Sequence, residues 1–326
     1  MEIRLFSADD VRQALPMTEA IEAMKSGYAQ LSVGKAQAPL RTHLPITQED
    51  STLIMPFYAP EEGALGLKVV SIFNSNLSRS LPLIHALVLI VDAETGQPQA
   101  IVEGSTLTAI RTGAASGAAT DILARPDASI VAILGSGVQA RRQLEAVCTV
   151  RHIQKVRVFS LAGVESFVAE MAGYGPIPKD IEIAGNPTAA IRDADIICTA
   201  TTSRTPVFDG HDLKPGAHVN GIGSFTPDMQ EIDSVTIQRA RVVVDSREAA
   251  LVEAGDLIVP LEAGFITIAH IDTELGEIIN GSKPGRVKAD EITFFKSVGV
   301  AVQDAMAARL VVSNGLAMGL GTMVGL

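Results

Sequence analysis

The order of apolar and polar residues divides the chain into two regimes. Residues 7–34 carry helical punctuation. Ser7 followed by Asp10 has the form of a capping box. Pro16 suits the first position of a second helix, and Ile21, Met24, Tyr28 and Leu31 recur at helical spacing until Gly34 stops them. Short runs rich in β-formers follow at 52–58 (TLIMPFY), 66–73 (GLKVVSIF) and 86–92 (ALVLIVD). The turn 92–96 (DAETG) then returns the chain into 99–103 as a hairpin partner. Helices followed by an antiparallel sheet make an α+β beginning. Residues 105–123 (STLTAIRTGAASGAATDIL) predict a helix so crowded with Ala, Gly and Thr that a neighbour must pack close to it, and 125–127 (RPD) breaks the chain after it.

From Ser129 the pattern becomes strand and helix in alternation. Residues 130–134 are all aliphatic, as in a strand buried on both faces of a parallel sheet. Gly135, Gly137 and Ala140 then form G-x-G-x-x-A, and 141–148 continue as a helix. Strand, glycine turn and helix start are the context that a dinucleotide fingerprint requires. Gly135 serves the tight turn, Gly137 the close approach of a pyrophosphate, and Ala140 the packing of helix on strand. The free N–H groups of the helix start face the anion. Further strands are predicted at 156–160, 181–184, 196–200, 217–222 and 240–245, which makes a doubly wound sheet of five or six strands. Ligands of such sheets bind beyond the carboxyl ends of the strands. The chain places Gly135, Gly137, Thr201, Thr202, Gly223, Ser224, Asp245 and Ser246 there. Residues 292–319 read as a closing helix, interrupted near its start by Gly299, that returns to the first domain.

Composition narrows the class. A chain of 326 residues makes about two domains. With 4% aromatics and no Trp, its core must be aliphatic. A net charge of −11 without a basic block argues against nucleic acid as a partner. Cys148 and Cys198 lie far apart with no C-x-x-C and no metal-ligand neighbour, so buried free thiols of a reducing cytosol are expected, and no metal. The first residues carry acids and lack the apolar core of a signal peptide. The uncharged tail 310–326 falls short of the roughly 20 apolar residues of a membrane span and reads as a glycine-rich packed end. The expectation is a soluble, cytoplasmic protein with no membrane partner.

The cofactor reading turns on one missing charge. In NAD enzymes an acid at the end of the second strand binds the ribose 2′-hydroxyl. Residues 159–163 (FSLAG) hold none, and the first acid is Glu165. Ser160 tolerates a 2′-phosphate, and Arg141 and Arg142 are candidate sources of positive charge. NADP is therefore favoured, with NAD possible.

Several segments together resemble the ornithine cyclodeaminase/mu-crystallin family along nearly the whole chain. They are Arg41, 53–58 (LIMPFY), 66–76 (GLKVVSIFNSN), 89–98 (LIVDAETGQP), 107–117 (LTAIRTGAASG), 135–140 (GSGVQA), 219–233 (VNGIGSFTPDMQEID) and 295–304 (FKSVGVAVQD). The resemblance implies an α/β fold. A Rossmann dinucleotide-binding domain would occupy 119–296, and an α+β substrate-binding and dimerisation domain would be made from 1–118 and 297–326, usually in a homodimer. Family members act on α-amino or α-imino acids with a nicotinamide. Some cyclodeaminate ornithine; others reduce cyclic ketimines such as Δ1-pyrroline-2-carboxylate, or interconvert alanine and pyruvate.

By the resemblance Arg41, Lys68 and Arg111 hold the substrate carboxylate, which suits a bidentate guanidinium and a point-charge ammonium. Lys68 sits inside an apolar strand, where an unpaired charge is costly, and a bound carboxylate would be its partner. Lys68 is also a candidate proton source, beside water or a solution acid. Met55 matches a pocket position. Thr112, Gly135, Ser136, Gly137, Val138, Gln139, Ser160, Thr201, Thr202, Gly223, Ser224, Lys296, Ser297 and Gly299 are expected on the cofactor. Plainer readings stand beside these: Arg41 as a loop cation, Lys68 snorkelling, Arg111 paired with Glu103 or Asp121, Met55 as core, and His43 and His85 as structural rather than acid–base residues. One departure matters. Cyclodeaminases carry Asp in a G-x-D motif, where this chain has Gly223, Ser224 and Phe225, and Asp228 is out of register. That favours NAD(P)H-dependent reduction of a small cyclic α-imino acid, with an alanine-type dehydrogenase as the alternative. A cyclodeaminase or a non-catalytic nucleotide-binding protein ranks behind both.

Overall fold

The structure, a computed structural model, describes residues 2–48 and 50–325; Met1, Glu49 and Leu326, and with them the extreme ends of the expected substrate domain, lie outside the described residues. The chain forms two compact units, Met1–Arg111 with Val300–Leu326, and Thr112–Gly299. The first division falls inside the helix Gly104–Leu123, upstream of the expected 118/119 boundary, and the second falls just after Gly299.

The first unit is built on a seven-stranded sheet. Its strands are β1 (Glu2–Phe6), β2 (Thr42–Pro45), β3 (Asp50–Ala59), β4 (Ala64–Phe73), β5 (Ile84–Val91), β6 (Pro98–Glu103) and a last strand, Thr322–Gly325, in the order last-β1-β6-β5-β4-β3-β2. The predicted strands form the antiparallel meander β3 to β6. The sheet is nevertheless mixed, because β1 runs parallel to β6 and antiparallel to the last strand. Beyond the predicted closing helix, the glycine-rich tail thus ends in a paired strand. Its pairing of Glu2 with Gly325 links the two ends of the chain, a partnership that no local pattern announces.

Helix Ala8–Ala14 starts from the predicted box, with Ser7 and Asp10 capping each other's backbone. Helix Met17–Ser32 begins one residue later than predicted, with Pro16 in the cap position, and Gly34 ends it at φ 72°. Helix Ala301–Ala317 packs on Met17–Ser32 and on β3, β4 and β5. The approach is close: a Cβ on Gly27 would lie 2.7 Å from Met306 Cγ. Strand alternation puts Met55, Phe57, Val70, Val88, Ile90 and Val102 on the buried face. Lys68 lies on that face too, between its cross-strand partners Met55 and Val88.

The second unit holds a parallel sheet of β7 (Ile130–Leu134), β8 (Lys155–Phe159), β9 (Ile181–Ile183), β10 (Ile196–Thr199), β11 (His218–Gly221), β12 (Ala240–Val244) and β13 (Ile292–Lys296), in the order β12-β13-β11-β10-β7-β8-β9. The order reverses between β7 and β10, which is the switch point of a doubly wound fold. Strand β13 corrects the sequence reading, which took it for the start of a helix. All five of its residues are buried between β11 and β12, and Gly299 at φ 85° separates it from helix Ala301–Ala317. A short apolar run gives the same periodicity signal as a buried strand or a buried helix turn. The crowded helix Gly104–Leu123 justifies its composition at both ends: a Cβ on Gly104 would lie 2.7 Å from Ala86, and one on Gly113 would lie 2.6 Å from the Arg142 carbonyl oxygen. Cys148 and Cys198 are free and buried, and burial pushes both thiols up to about 12.

Candidate functional site

The first unit gathers its charges around one carboxylate. Lys68, only 1% exposed, donates from Nζ to Asp304 Oδ1 at 2.8 Å, with Oδ2 equally near. Arg111 donates from Nε to the same Oδ1 at 3.1 Å and from Nη1 to Gln303 Oε1 at 2.6 Å. Gln303 is itself fixed: its Oε1 accepts the Val300 N–H at 2.9 Å, and its Nε2 donates to Tyr28 Oη at 2.6 Å. Asp304 sits in the first turn of Ala301–Ala317, where the positive end of the helix dipole adds to the cations that hold it.

This arrangement corrects two expectations. The partner of Lys68 is Asp304 of the same chain, so the lysine does not depend on a ligand for its counter-charge. The alternative partners of Arg111 are engaged elsewhere. Glu103 accepts the backbone N–H groups of Ser105 and Thr106, and Asp121 pairs with Arg151.

The protonation of Lys68 follows from these neighbours. Burial is the main influence and lowers its pKa, the positive charges of Arg111 and Arg41 lower it further, and Asp304 pulls it back up, leaving it at about 7. Arg41, half-buried just before β2, is within electrostatic reach of Lys68. Met55, 2% exposed, lies directly across from Lys68. His43 and His85 are exposed, and His85 points from β5 to the sheet face opposite Lys68.

Asp304 and Gln303 escaped the sequence reading. A signal was present, since Asp304 is the sole acid in the apolar stretch 292–319, and a buried lysine needs a counter-charge.

The second unit presents the glycine turn. Gly135 has φ 116°, its N–H donates to Phe159 O, and a Cβ there would lie 2.5 Å from the Ala200 carbonyl oxygen. Gly137 caps helix Val138–Val150 without any side-chain cap bond, and a Cβ on it would meet nothing within 4 Å. An uncapped helix start facing open space suits a pyrophosphate. Ser136 Oγ bonds Ser160 Oγ at 3.0 Å and the Ala162 carbonyl oxygen at 2.6 Å, which ties the turn to the end of β8. Val138 and Leu161 are exposed beside it, and Gln139 Oε1 is buried without a partner. Arg141 and Arg142 were the candidate charges for a 2′-phosphate. Arg141 is paired with Glu170 and lies over the Phe167 ring, and Arg142 is paired with Glu145, so neither charge is uncommitted.

Several polar groups expected on the cofactor have hydrogen-bond partners within the chain. Lys296, wholly buried, donates to Asp256 Oδ2 at 2.8 Å. Asp245 Oδ2 accepts Ser297 Oγ at 2.8 Å and the Val298 and Gly299 N–H groups at 3.0 and 2.9 Å, so it shapes the turn after β13. Ser224 Oγ donates to Met229 O, and Thr201 Oγ donates to Glu231. Thr202 is exposed, Thr112 is buried with its carbonyl accepting Gln143 Nε2, and the Gly223 N–H donates to Glu231. Asp228 is exposed and paired with Arg204, in keeping with its being out of register. An open cavity of about 440 Å³ lined by Pro215, Arg239 and Lys288 lies at the start of β13, the end of the sheet opposite the glycine turn, and holds none of these residues.

Asp304→Asn leaves two buried cations without their counter-charge and is expected to cost about 3–5 kcal/mol in urea unfolding, partly recovered in the Lys68→Met/Asp304→Asn double variant. A loss below about 1 kcal/mol, the size expected of a surface pair, would show that the cluster contributes little.

The sequence profile of the ornithine cyclodeaminase/mu-crystallin family matches residues 1–318. A Δ(1)-pyrroline-2-carboxylate reductase of Bacillus cereus is 41% identical over 322 residues, 98% of this chain and 99% of its own. Among solved structures, the Thermococcus litoralis Δ(1)-pyrroline-2-carboxylate reductase in complex with NADH and L-proline has a TM-score of 0.94 at 41% identity, covering 98% of this chain and 99% of that one. An archaeal alanine dehydrogenase dimer with bound NAD has a TM-score of 0.93 at 32% identity, covering all of both chains. The chain therefore belongs to the ornithine cyclodeaminase/mu-crystallin family.

Proposed function

We propose that the chain reduces a small cyclic α-imino acid of the Δ1-pyrroline-2-carboxylate type to the corresponding amino acid. A nicotinamide dinucleotide supplies the hydride when bound. The reading is carried by the joint hold of Lys68 and Arg111 on a single buried carboxylate, Asp304, with Arg41 close enough to act on the charge of Lys68. With Lys68 protonated, Lys68 and Arg111 place two positive charges on one negative, and the excess favours an anionic substrate. Arg41 and Arg111 bind the substrate carboxylate. Nε and Nη1 of Arg111 are committed to Asp304 and Gln303, which fixes the guanidinium plane and leaves Nη2 for the ligand. Lys68 Nζ gives its proton to the imine nitrogen as the carbon gains hydride, and solvent restores it. A pKa near 7 suits a general acid at neutral pH. The dinucleotide lies on the helix start at Gly137, Val138 and Gln139, with Gly135, Ser136, Ser160, Thr202 and the backbones of Thr201 and Gly223 around it.

Both reduced dinucleotides are accepted. No carboxylate at 160–163 repels a 2′-phosphate, and relatives of known structure hold NADH or NAD. Oxidation of NADH and NADPH with Δ1-pyrroline-2-carboxylate is expected, with Michaelis constants for the two cofactors within about tenfold, a difference of about 1.4 kcal/mol. Exclusive use of NADH overturns the dual reading, and faster turnover of pyruvate with ammonia shifts the assignment to the alanine-type dehydrogenase.

The site is proposed to work in a homodimer. On the outer face of the first unit's sheet Ile54, Val69 and Leu87 form one exposed rung across β3, β4 and β5, with Leu87 55% exposed. Such a face invites a second apolar surface, and a second copy of the chain is its occupant. No helix among the described residues is long and apolar enough to cross a membrane, and with two free thiols the cytoplasm is the proposed compartment. Light scattering is expected to show a dimer for the parent and a monomer for Val69→Lys/Leu87→Lys. A monomeric parent, or a dimer unchanged by both lysines, refutes this interface.

A further inference from the structure

Glu231 is fully buried, and its carboxylate accepts four hydrogen bonds. Oε1 takes the Thr201 N–H at 2.6 Å and the Thr201 hydroxyl at 2.7 Å. Oε2 takes the Gly223 N–H at 2.6 Å and the Thr199 hydroxyl at 2.9 Å. Each oxygen thus faces a backbone N–H, an obligate donor that requires an acceptor oxygen on both sides, although burial and the neighbouring Asp256 raise the pKa of the group. The residue is held in turn from behind. Its own N–H and that of Ile232 donate to Asp256 Oδ1 at 2.6 and 2.9 Å, and Lys296 Nζ holds Asp256 Oδ2. Gly223 is required by this packing, because a Cβ there would lie 2.6 Å from the carboxyl carbon and 2.0 Å from the Thr201 carbonyl oxygen.

The two N–H groups belong to the segments that leave the carboxyl ends of β10 and β11, adjacent strands beside the switch point. Fixing the Thr201 N–H fixes the whole 200–201 peptide plane, since the peptide is rigid and trans. The Ala200 carbonyl then points the other way, and its oxygen is the atom that a Cβ on Gly135 would strike at 2.5 Å. A buried carboxyl group thereby sets the wall against which the glycine turn rests.

We propose that Glu231 is a positioning residue for the nicotinamide dinucleotide, its carboxylate locking the loops after β10 and β11 in the orientation that the glycine turn requires. This rests on the assignment of that turn as the dinucleotide site. In Glu231→Gln either amide orientation sets an NH₂ against one of the two backbone N–H groups, so one loop must rotate. Equilibrium NADH binding, read by nicotinamide fluorescence without any imine present, is expected to weaken about tenfold or more. Turnover at saturating NADH should change by less than about threefold, because no group that touches the imine is lost. A purely structural role would instead lower the active fraction and the melting temperature while leaving the dissociation constant alone. NADH affinity within about twofold of the parent in folded Glu231→Gln overturns the proposal. Should that variant not fold, Thr199→Val, which removes one donor from inside β10, is expected to weaken NADH about threefold, and unchanged binding overturns the proposal equally. A parent that binds NADH but turns over no imine defeats the substrate assignment and leaves this test intact. A parent that binds no nicotinamide defeats both.

Discussion

One carboxylate, Asp304, makes the buried face of the first unit tolerable. A lysine and an arginine with almost no solvent contact would be prohibitive alone, since an uncompensated charge in a protein interior costs several kcal/mol. Asp304 accepts from both. It does so because helix Ala301–Ala317 lies across β3, β4 and β5 and presents its first turn to the middle of the sheet. The compensation is incomplete in electrostatic terms, with two cations on one anion. Burial first, and then the charge of Arg111, bring the ammonium of Lys68 down to about 7, where a proton is readily given up.

The second unit uses buried acids differently. Asp195 accepts the Ser129 and Ile130 N–H groups at the start of β7, Asp245 accepts the Val298 and Gly299 N–H groups after β13, and Asp256 accepts those of Glu231 and Ile232. In each case a carboxylate holds a pair of backbone donors that lie outside the sheet ladder. Such bonds are charge-assisted and stronger than neutral ones. They give loops at strand ends the fixed geometry that regular hydrogen bonding gives the strands. Among the predicted cofactor residues, Lys296 and Ser297 bond two of these acids, Asp256 and Asp245, while Thr201 bonds Glu231 and Ser224 the Met229 carbonyl.

What the sequence revealed follows the range of the forces involved. Local signals were legible: the alternation of β3 to β6, the five aliphatics of β7, the glycine turn, the Ser7–Asp10 cap. Non-local pairings were not. Strand β1 and Thr322–Gly325 exist because they pair with each other across the length of the chain, and β13 is a strand because β11 and β12 flank it. The site divides in the same way. Arg41, Lys68 and Arg111 were named through family resemblance rather than spacing. Asp304 lies far in sequence from the cations it holds, and Glu231 joins Gly223 to the distant Thr199 and Thr201, so their roles appear only once the chain is folded.

The central claim is that burial and flanking cations, opposed by Asp304, hold Lys68 poised at neutral pH. Its most direct test is an NMR titration of the Lys68 ammonium through its ¹³Cε and ¹⁵Nζ shifts, assigned by comparison with Lys68→Arg. The account predicts a midpoint at about 7, falling lower in any folded Asp304→Asn protein. A midpoint close to the ordinary lysine value of 10.5 would contradict it.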